Sequence, residues 1–360
     1  MKNISRRSLM LSGAGALAVG AFGLPKLGSA GMRVTAIDGY PAKAMWVREF
    51  SNFFIPEVNK RLAAIGAEAF EWQESYGGAI VKPKGVLEGL KLGLGDIGIV
   101  TTIFHSSTLP SQAISAVTPF ISSDARVVAK AVDEIANEFP DMRDEFTAQG
   151  QVYLTTGVVL DSYQLFSKKK VTHVKDIEGM KIAGAGYNLR YLEGIKDAAG
   201  VRGGLTDFYN MVQTGVTDGA MLWVEAAKTF GIADVAPHML RANMGAVNTK
   251  TLTANANFWN KLPANVQKEI KGAAIAYRDH IANVAMGAAA ESEKAFMAKG
   301  GTITDLADSE RKAWAEAMPN IASEWAAGLD KKGKNGTKML KAYIAKLRAS
   351  GATPARDWSA

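Results

Sequence analysis

The chain has 360 residues, 48% of them hydrophobic and 21% charged, with 36 glycines, 11 prolines and no cysteine. A core-forming profile of this kind excludes disordered, collagenous and disulfide-stapled classes, and with them thiolate metal sites and cysteine nucleophiles. Of the 42 basic residues behind the net charge of +7, Lys2, Arg6, Arg7 and Lys26 lie in the first 30 positions, which hold no acid; the 38 beyond face 35 acids, too weak an excess for a nucleic-acid partner.

Ser5-Arg6-Arg7-Ser8-Leu9 is followed by an apolar, Gly/Ala-rich stretch to Leu24, then Pro25, Lys26 and the small residues Gly28-Ser29-Ala30. This is the layout of a bacterial export signal over 1–30, cut after Ala30, and the paired arginines select the twin-arginine route. A membrane anchor would need about 20 strongly apolar residues. The run is shorter than that, and Gly13, Gly15, Gly20 and Gly23 dilute it. The mature protein is therefore expected to be soluble outside the cytoplasm, with no direct membrane insertion.

Met32–Ile37 reads as a strand, and Val47, Phe50, Phe54, Val58, Leu62 and Ile65 share one helical face that Pro56 should kink. Glu68–Gln73 alternates as a half-buried strand, Val86–Leu94 carries helical spacing, and Asp96–Val100 reads as a buried strand. Val127–Phe139 predicts a helix ended by Pro140. Further strands are expected at Val152–Val159, Lys181–Ala183, Gly219–Trp223 and Met239–Val247, with helices between them. This alternation predicts an α/β fold with mainly parallel sheets. Pro263–Lys299 and Ser309–Ser350 are long helical stretches, the second interrupted at Gly333–Gly336, and form a helical brace. With 360 residues, two domains are expected.

Most catalytic chemistry is missing. The four histidines, His105, His173, His238 and His280, are scattered without metal-ligand spacing, and no G-x-S-x-G elbow occurs. Gly184-Ala185-Gly186 lacks the third glycine of a dinucleotide loop, because Leu189 stands there. Gly333-Lys334-Asn335-Gly336-Thr337 has the wrong spacing for a phosphate loop and reads as a helix–helix turn. No metal or cofactor is expected.

Lys181–Tyr191 predicts strand, glycine turn and helix, with Asn188 as its N-cap and Arg190 in the first turn. A cation there opposes the helix dipole, and makes better sense if it meets a carboxylate; a solvent-facing arginine is the alternative. Tyr76, Tyr163, Tyr187, Phe208, Tyr209 and Trp223 sit near expected strand ends or turns, where open α/β sheets bind ligands. Glu225 either accepts a ligand hydroxyl or caps Val224–Phe230.

Several segments resemble the solute-binding proteins of tripartite ATP-independent periplasmic (TRAP) transporters. Asp176-Ile177-Glu178-Gly179-Met180-Lys181-Ile182 resembles their "D-L-x-G-x-K-I-R" stretch. Phe208–Gly219 resembles "Y-x-x-L-Q-T-G-V-x-D-G", and Trp259–Gln267 resembles "W-x-x-L-P-x-x-x-Q". Gly95-Asp96-Ile97 and Thr118-Pro119-Phe120 fit the family's "G-D-x" turn and "P-F", so the matches run in order over about residues 76–267.

The resemblance implies a two-lobe, type II-like periplasmic-binding-protein fold with a hinge, a long lobe-spanning helix and a helical C-terminus. Lobe I would comprise 31–154 with a return segment at about 246–285. Lobe II would comprise 155–245 with the C-terminal helices, about 286–360. It also implies binding of a small-molecule carboxylate, delivery to TRAP membrane permease subunits, and no catalysis. The arginine that the family places after "K-I" to clamp the carboxylate is Ala183 here. Arg190, with Tyr163, Gln164 or Asn188, is expected to take its place, while Tyr187, Phe208 and Trp223 cover an apolar body. Few guanidiniums and many rings suit a monocarboxylate with an apolar or aromatic body. A C4-dicarboxylate ligand and an exported enzyme remain as alternatives.

Overall fold

The computed structural model describes residues 31–359, so the expected export signal lies outside the described residues. The first half of the chain builds β1 (Arg33–Ile37), α1 (Met45–Glu49), α2 (Ile55–Ala64), β2 (Glu71–Ser75), α3 (Val86–Lys91) and β3 (Ile97–Thr101). α4 (Ala125–Glu138) and α5 (Asp141–Thr147) then lead into β4 (Gln151–Ser167), a 17-residue strand that runs out of lobe I into lobe II. Lobe II continues with β5 (Lys181–Gly184), β6 (Ala199–Arg202), α6 (Phe208–Gln213), β7 (Gly219–Trp223), α7 (Val224–Thr229) and β8 (His238–Arg241). The chain returns along β9 (Ala246–Asn255) and through α8 (Ala256–Trp259) to α9 (Ala264–Ala298). β10 (Thr302–Asp305), α10 (Asp308–Ala317), α11 (Ile321–Asp330) and α12 (Gly336–Ala349) complete it.

The strand order is β2-β1-β3-β9-β4-β7-β5-β6, with β8 joined to β4 and β10 to β8. The outer strands pair in parallel, β1 with β2 and β3, and β5 with β6 and β7. The two strands that cross between the lobes, β4 and β9, run antiparallel to each other, and β9 to β3 and β4 to β7 also pair antiparallel. The expectation of mainly parallel sheets therefore holds inside each lobe and fails at the crossing. Register shifts along β4–β9 between Tyr153 and Ser162 bend the ladder where one lobe gives way to the other.

Three local expectations need correction. The Met239–Val247 run is two strands, β8 and β9, because Asn243 (φ 49°) and Gly245 (φ 108°) break the extended backbone between them. The irregularity expected at Pro56 comes one turn earlier, as a π-type turn over Phe50–Phe54. Pro56 then sits in the first turn of α2, where its missing N–H costs nothing. The strand expected at 68–73 is shifted to β2, Glu71–Ser75.

α9 is 35 residues long and spans about 52 Å. It packs along β4 and touches α2 in lobe I and α7 in lobe II. Its buried row runs through Val266, Ile270, Ala273, Tyr277, Ile281 and Ala285, and the Tyr277 hydroxyl donates to the Trp46 carbonyl at 2.6 Å. The small alanines let the helix lie close to the crossing strands. The C-terminal helices touch both halves: Trp325 donates its indole N–H to the Pro110 carbonyl at 2.7 Å, and Trp314 donates to the Tyr191 carbonyl at 2.6 Å. The Gly333–Thr337 segment is the turn between α11 and α12, tied by Asp330, whose Oδ1 accepts from the Thr337 N–H at 3.2 Å.

Candidate functional site

Where the two lobes face each other lies a cavity with about 350 Å³ of space between its walls. Lobe I contributes Tyr40, Ile103 and Phe104, lobe II contributes Tyr163, Asn188, Phe208 and Trp223, and β9 contributes Thr249 and Lys250. The lobes touch around it. The Lys43 Nζ donates to the Thr229 carbonyl at 3.1 Å, and a Cβ on Gly186 would come within 3.2 Å of Ile103.

Tyr163 and Trp223 are directly opposed residues of the antiparallel β4–β7 pair, so their side chains share a face. Their ring centroids are 5.7 Å apart in an edge-on arrangement. Phe208 opens α6 and is buried. Asn188 is not the helix cap expected of it. The segment Gly186–Leu192 is a 3₁₀ turn capped at Ala185, and the Asn188 Oδ1 accepts the Ala185 N–H at 2.7 Å. This bond shapes the glycine turn and holds Asn188 in the cavity wall.

Lys250 is the only charged side chain in that wall, among the described residues, and it is 2% exposed. Its ammonium lies 3.8 Å from the Trp46 ring centroid, 5.6 Å from that of Tyr40 and 5.7 Å from that of Trp223. It donates to the Thr249 hydroxyl at 3.1 Å. Burial pushes the Lys250 pKa down, and the nearby Asp38 carboxylate pulls it back up. Asp38 is itself buried. Its Oδ1 accepts the Tyr40 N–H at 2.7 Å and its Oδ2 the Trp46 indole N–H at 3.1 Å. Burial pushes its pKa up, against the pull of those donors and of Lys250. Burial also holds the Tyr40 and Tyr163 phenols well above their usual range.

The remaining expected site residues lie elsewhere. Arg190 is 29% exposed and its guanidinium is occupied: Nε and Nη2 donate to Glu193 at 2.9 and 2.7 Å, and Nη1 donates to Glu324 at 2.6 Å. Its cleft, lined also by Tyr187, Ser106 and Trp325, is a separate one of about 590 Å³. The dipole argument for Arg190 fails because the segment is a 3₁₀ turn with Arg190 in its last part. Gln164 points to the other face of β4 from Tyr163, as strand alternation requires. There it exchanges hydrogen bonds with Asn243, Nε2 to Oδ1 at 3.0 Å and N–H to Oε1 at 2.9 Å, and so holds the turn between β8 and β9. Glu225 accepts the Trp223 indole N–H at 3.3 Å and the Thr229 hydroxyl at 2.5 Å within α7. Tyr76 is half-buried outside the cavity, with its hydroxyl accepting from Ser51 at 3.3 Å.

Sequence reasoning missed Lys250, Tyr40, Trp46 and Asp38. One signal existed for Lys250: it stands in the middle of Ala246–Asn255, a run rich in β-branched residues, and lysine is almost never buried without a partner. Among the described residues, no group of carboxylates and histidines could hold a metal ion, and no helix is long and apolar enough to cross a membrane.

A family model described as DctP, bacterial extracellular solute-binding protein, family 7, matches residues 74–328. Solved structures share the fold. A TRAP solute-binding protein from Rhodoferax ferrireducens in complex with copurified benzoate has a TM-score of 0.79 at 17% identity, over 89% of this chain and 98% of that one. One from Bordetella bronchiseptica with bound mandelate enantiomers has a TM-score of 0.77 at 18% identity, over 89% and 99%. An open complex from Desulfovibrio salexigens has a TM-score of 0.76 at 20% identity, over 89% and 97%.

Proposed function

The chain belongs to family 7 of the bacterial extracellular solute-binding proteins, and we propose that it captures a monocarboxylate with an apolar or aromatic body for a TRAP permease. Proteins of this family bind and deliver a substrate for transport and are not enzymes. The observation that carries the ligand class is the wall of the interlobe cavity: Tyr40, Tyr163, Phe208 and Trp223 around a single charged side chain, Lys250. Rings bury an apolar body with favourable stacking, and one cation matches one carboxylate. A C4-dicarboxylate needs a second cation, for which the expected candidate, Arg190, is committed to Glu193 and Glu324.

A ligand that touches both walls stabilises the closed arrangement by its differential affinity for it, and the bent β4–β9 ladder is the hinge about which the lobes part. The closed form then docks on the permease subunits. Residues 1–30 would direct export by the twin-arginine route, and cell fractionation with and without that machinery tests it. The ligand class is tested by thermal unfolding with benzoate, mandelate, succinate and isophthalate. Saturation at 100 times Kd adds about 2.7 kcal/mol, a shift of several degrees. A shift with the monocarboxylates alone supports the reading. A shift with succinate alone replaces it with the dicarboxylate reading.

A further inference from the structure

Resting on that reading, we infer that Lys250 is the group that receives the ligand's carboxylate, and that Asp38 is the counter-ion which the incoming carboxylate replaces. An ammonium has three donors. The structure gives Lys250 one hydrogen bond, to Thr249, and among the described residues no carboxylate stands at ion-pair distance from it. Thr101 is directly opposite Lys250 in the β3–β9 ladder and therefore on the same face. Its buried hydroxyl has no hydrogen-bond partner among the described residues, and neither has that of Thr102. An acceptor brought beside Lys250 would thus satisfy donors that the fold leaves unused.

Asp38 cannot make that approach. The Tyr40 N–H and the Trp46 indole fix both of its oxygens. It balances Lys250 through space, each holding the other against the cost of burial. When a second carboxylate arrives, two anions share one ammonium, and a buried unpaired charge is not tolerated. The excess is removed by a proton on Asp38. Tyr40, Tyr76 and Tyr277 also feel Asp38, but all three phenols are held high and remain neutral, and Asp207 acts on Tyr40 without touching the pair. Whichever member of the pair carries the proton beforehand, the liganded site holds one more. Asp38 therefore sets a limit of one negative charge, and the ligand enters with about one proton from solvent.

The test is isothermal titration calorimetry of the purified protein with benzoate, mandelate, isophthalate and succinate, in two buffers of different ionisation enthalpy. Benzoate or mandelate should bind with uptake of about one proton, and the two dicarboxylates should not bind. Lys250→Met, with an unchanged circular dichroism spectrum, should weaken binding by about tenfold or more. Asp38→Asn, which reproduces the neutral carboxyl of the liganded site, should still bind the same monocarboxylate, with a proton taken up by Lys250 now that no carboxylate offsets its burial. Loss of binding there overturns the inference even should Lys250→Met misfold. Affinity unchanged in Lys250→Met, absence of buffer dependence, or isophthalate bound as tightly as benzoate each overturns the inference while leaving carboxylate capture standing. Absence of binding by all four acids overturns the capture reading and this inference with it.

Discussion

The indole rings of Trp46 in α1 and Trp223 at the end of β7 meet across the interlobe cleft, with centroids 6.2 Å apart and planes inclined at 58°. One belongs to each lobe, and the Lys250 ammonium lies near both. The pair is therefore placed to report on closure.

Because of that placement, mandelate binding should change tryptophan emission, and Trp223→Ala should weaken binding by roughly three- to tenfold through the lost ring contact. Fluorescence titration of the two proteins checks this. Equal affinity would put the ligand's body elsewhere in the cavity.

Gly186 combines φ of 62° with a close approach to Ile103 of the opposite lobe. Valine there is strained by its backbone and blocked by its neighbour. Gly186→Val should leave the lobes folded but unable to close, seen as weaker binding and a larger ligand-bound radius of gyration in small-angle scattering. Normal compaction would show that this contact does not limit closure.

Arg190→Ala removes a partly exposed ion-pair cluster, so it should cost at most about 1 kcal/mol of stability. Carboxylate affinity should stay within about twofold, as measured by calorimetry. A loss greater than about tenfold would return Arg190 to the site.

Arg278 of α9 donates to the buried Asp133 of α4 at 2.5 Å. Asp133 also accepts from the Thr155 hydroxyl at 3.0 Å, the Thr156 N–H at 3.2 Å and the Tyr153 hydroxyl. This network ties α4, β4 and α9 together at the start of the crossing. Arg278→Met leaves a buried carboxylate without its cation and should destabilise by about 3–5 kcal/mol, read from denaturant unfolding. A change below 1 kcal/mol would mean that the hydrogen bonds alone hold Asp133.

Asp38 has its pKa raised in the folded protein. The folded state then binds a proton that the unfolded chain has released, so stability falls as pH rises from the ordinary carboxylate range to the raised folded value. Lys250, lowered by burial, acts with the opposite sign at higher pH, where stability rises toward the ordinary lysine range. Unfolding over a pH series should show the acid-side slope in the native protein and lose it in Asp38→Asn. The same slope in both would assign it to other groups.

Much of the fold was legible because its signals are local. The three- and four-residue spacing in α4 and the buried runs of β3 and β7 identify their own elements. The family's motifs do the same for the order of the lobes. What escaped was set by distant partners. The break between β8 and β9 depends on Asn243, which Gln164, 79 positions away, holds in a left-handed conformation. The length of β4 depends on pairing with β7, β8 and β9 rather than on its own alternation.

The site divides in the same way. Tyr163, Phe208, Trp223 and Asn188 were found because strand ends and glycine turns mark them in the sequence, and the fold brings all four to one cavity. Arg190 was singled out by its place after the glycine turn and by the missing family arginine at Ala183, and two glutamates, one of them 134 positions away, claim it instead.

By itself the sequence determined the α/β alternation, through periodicity and turn chemistry, and, through the order of its family motifs, membership of a two-lobe solute-binding family, since these are properties of neighbours in the chain. Only the tertiary structure decided which cation lines the interlobe cavity. Lys250 and Asp38 become a buried pair because β9 returns beside β3 and folds their side chains into one desolvated space. Desolvation is a property of everything packed around a group, and no stretch of the chain encodes it alone.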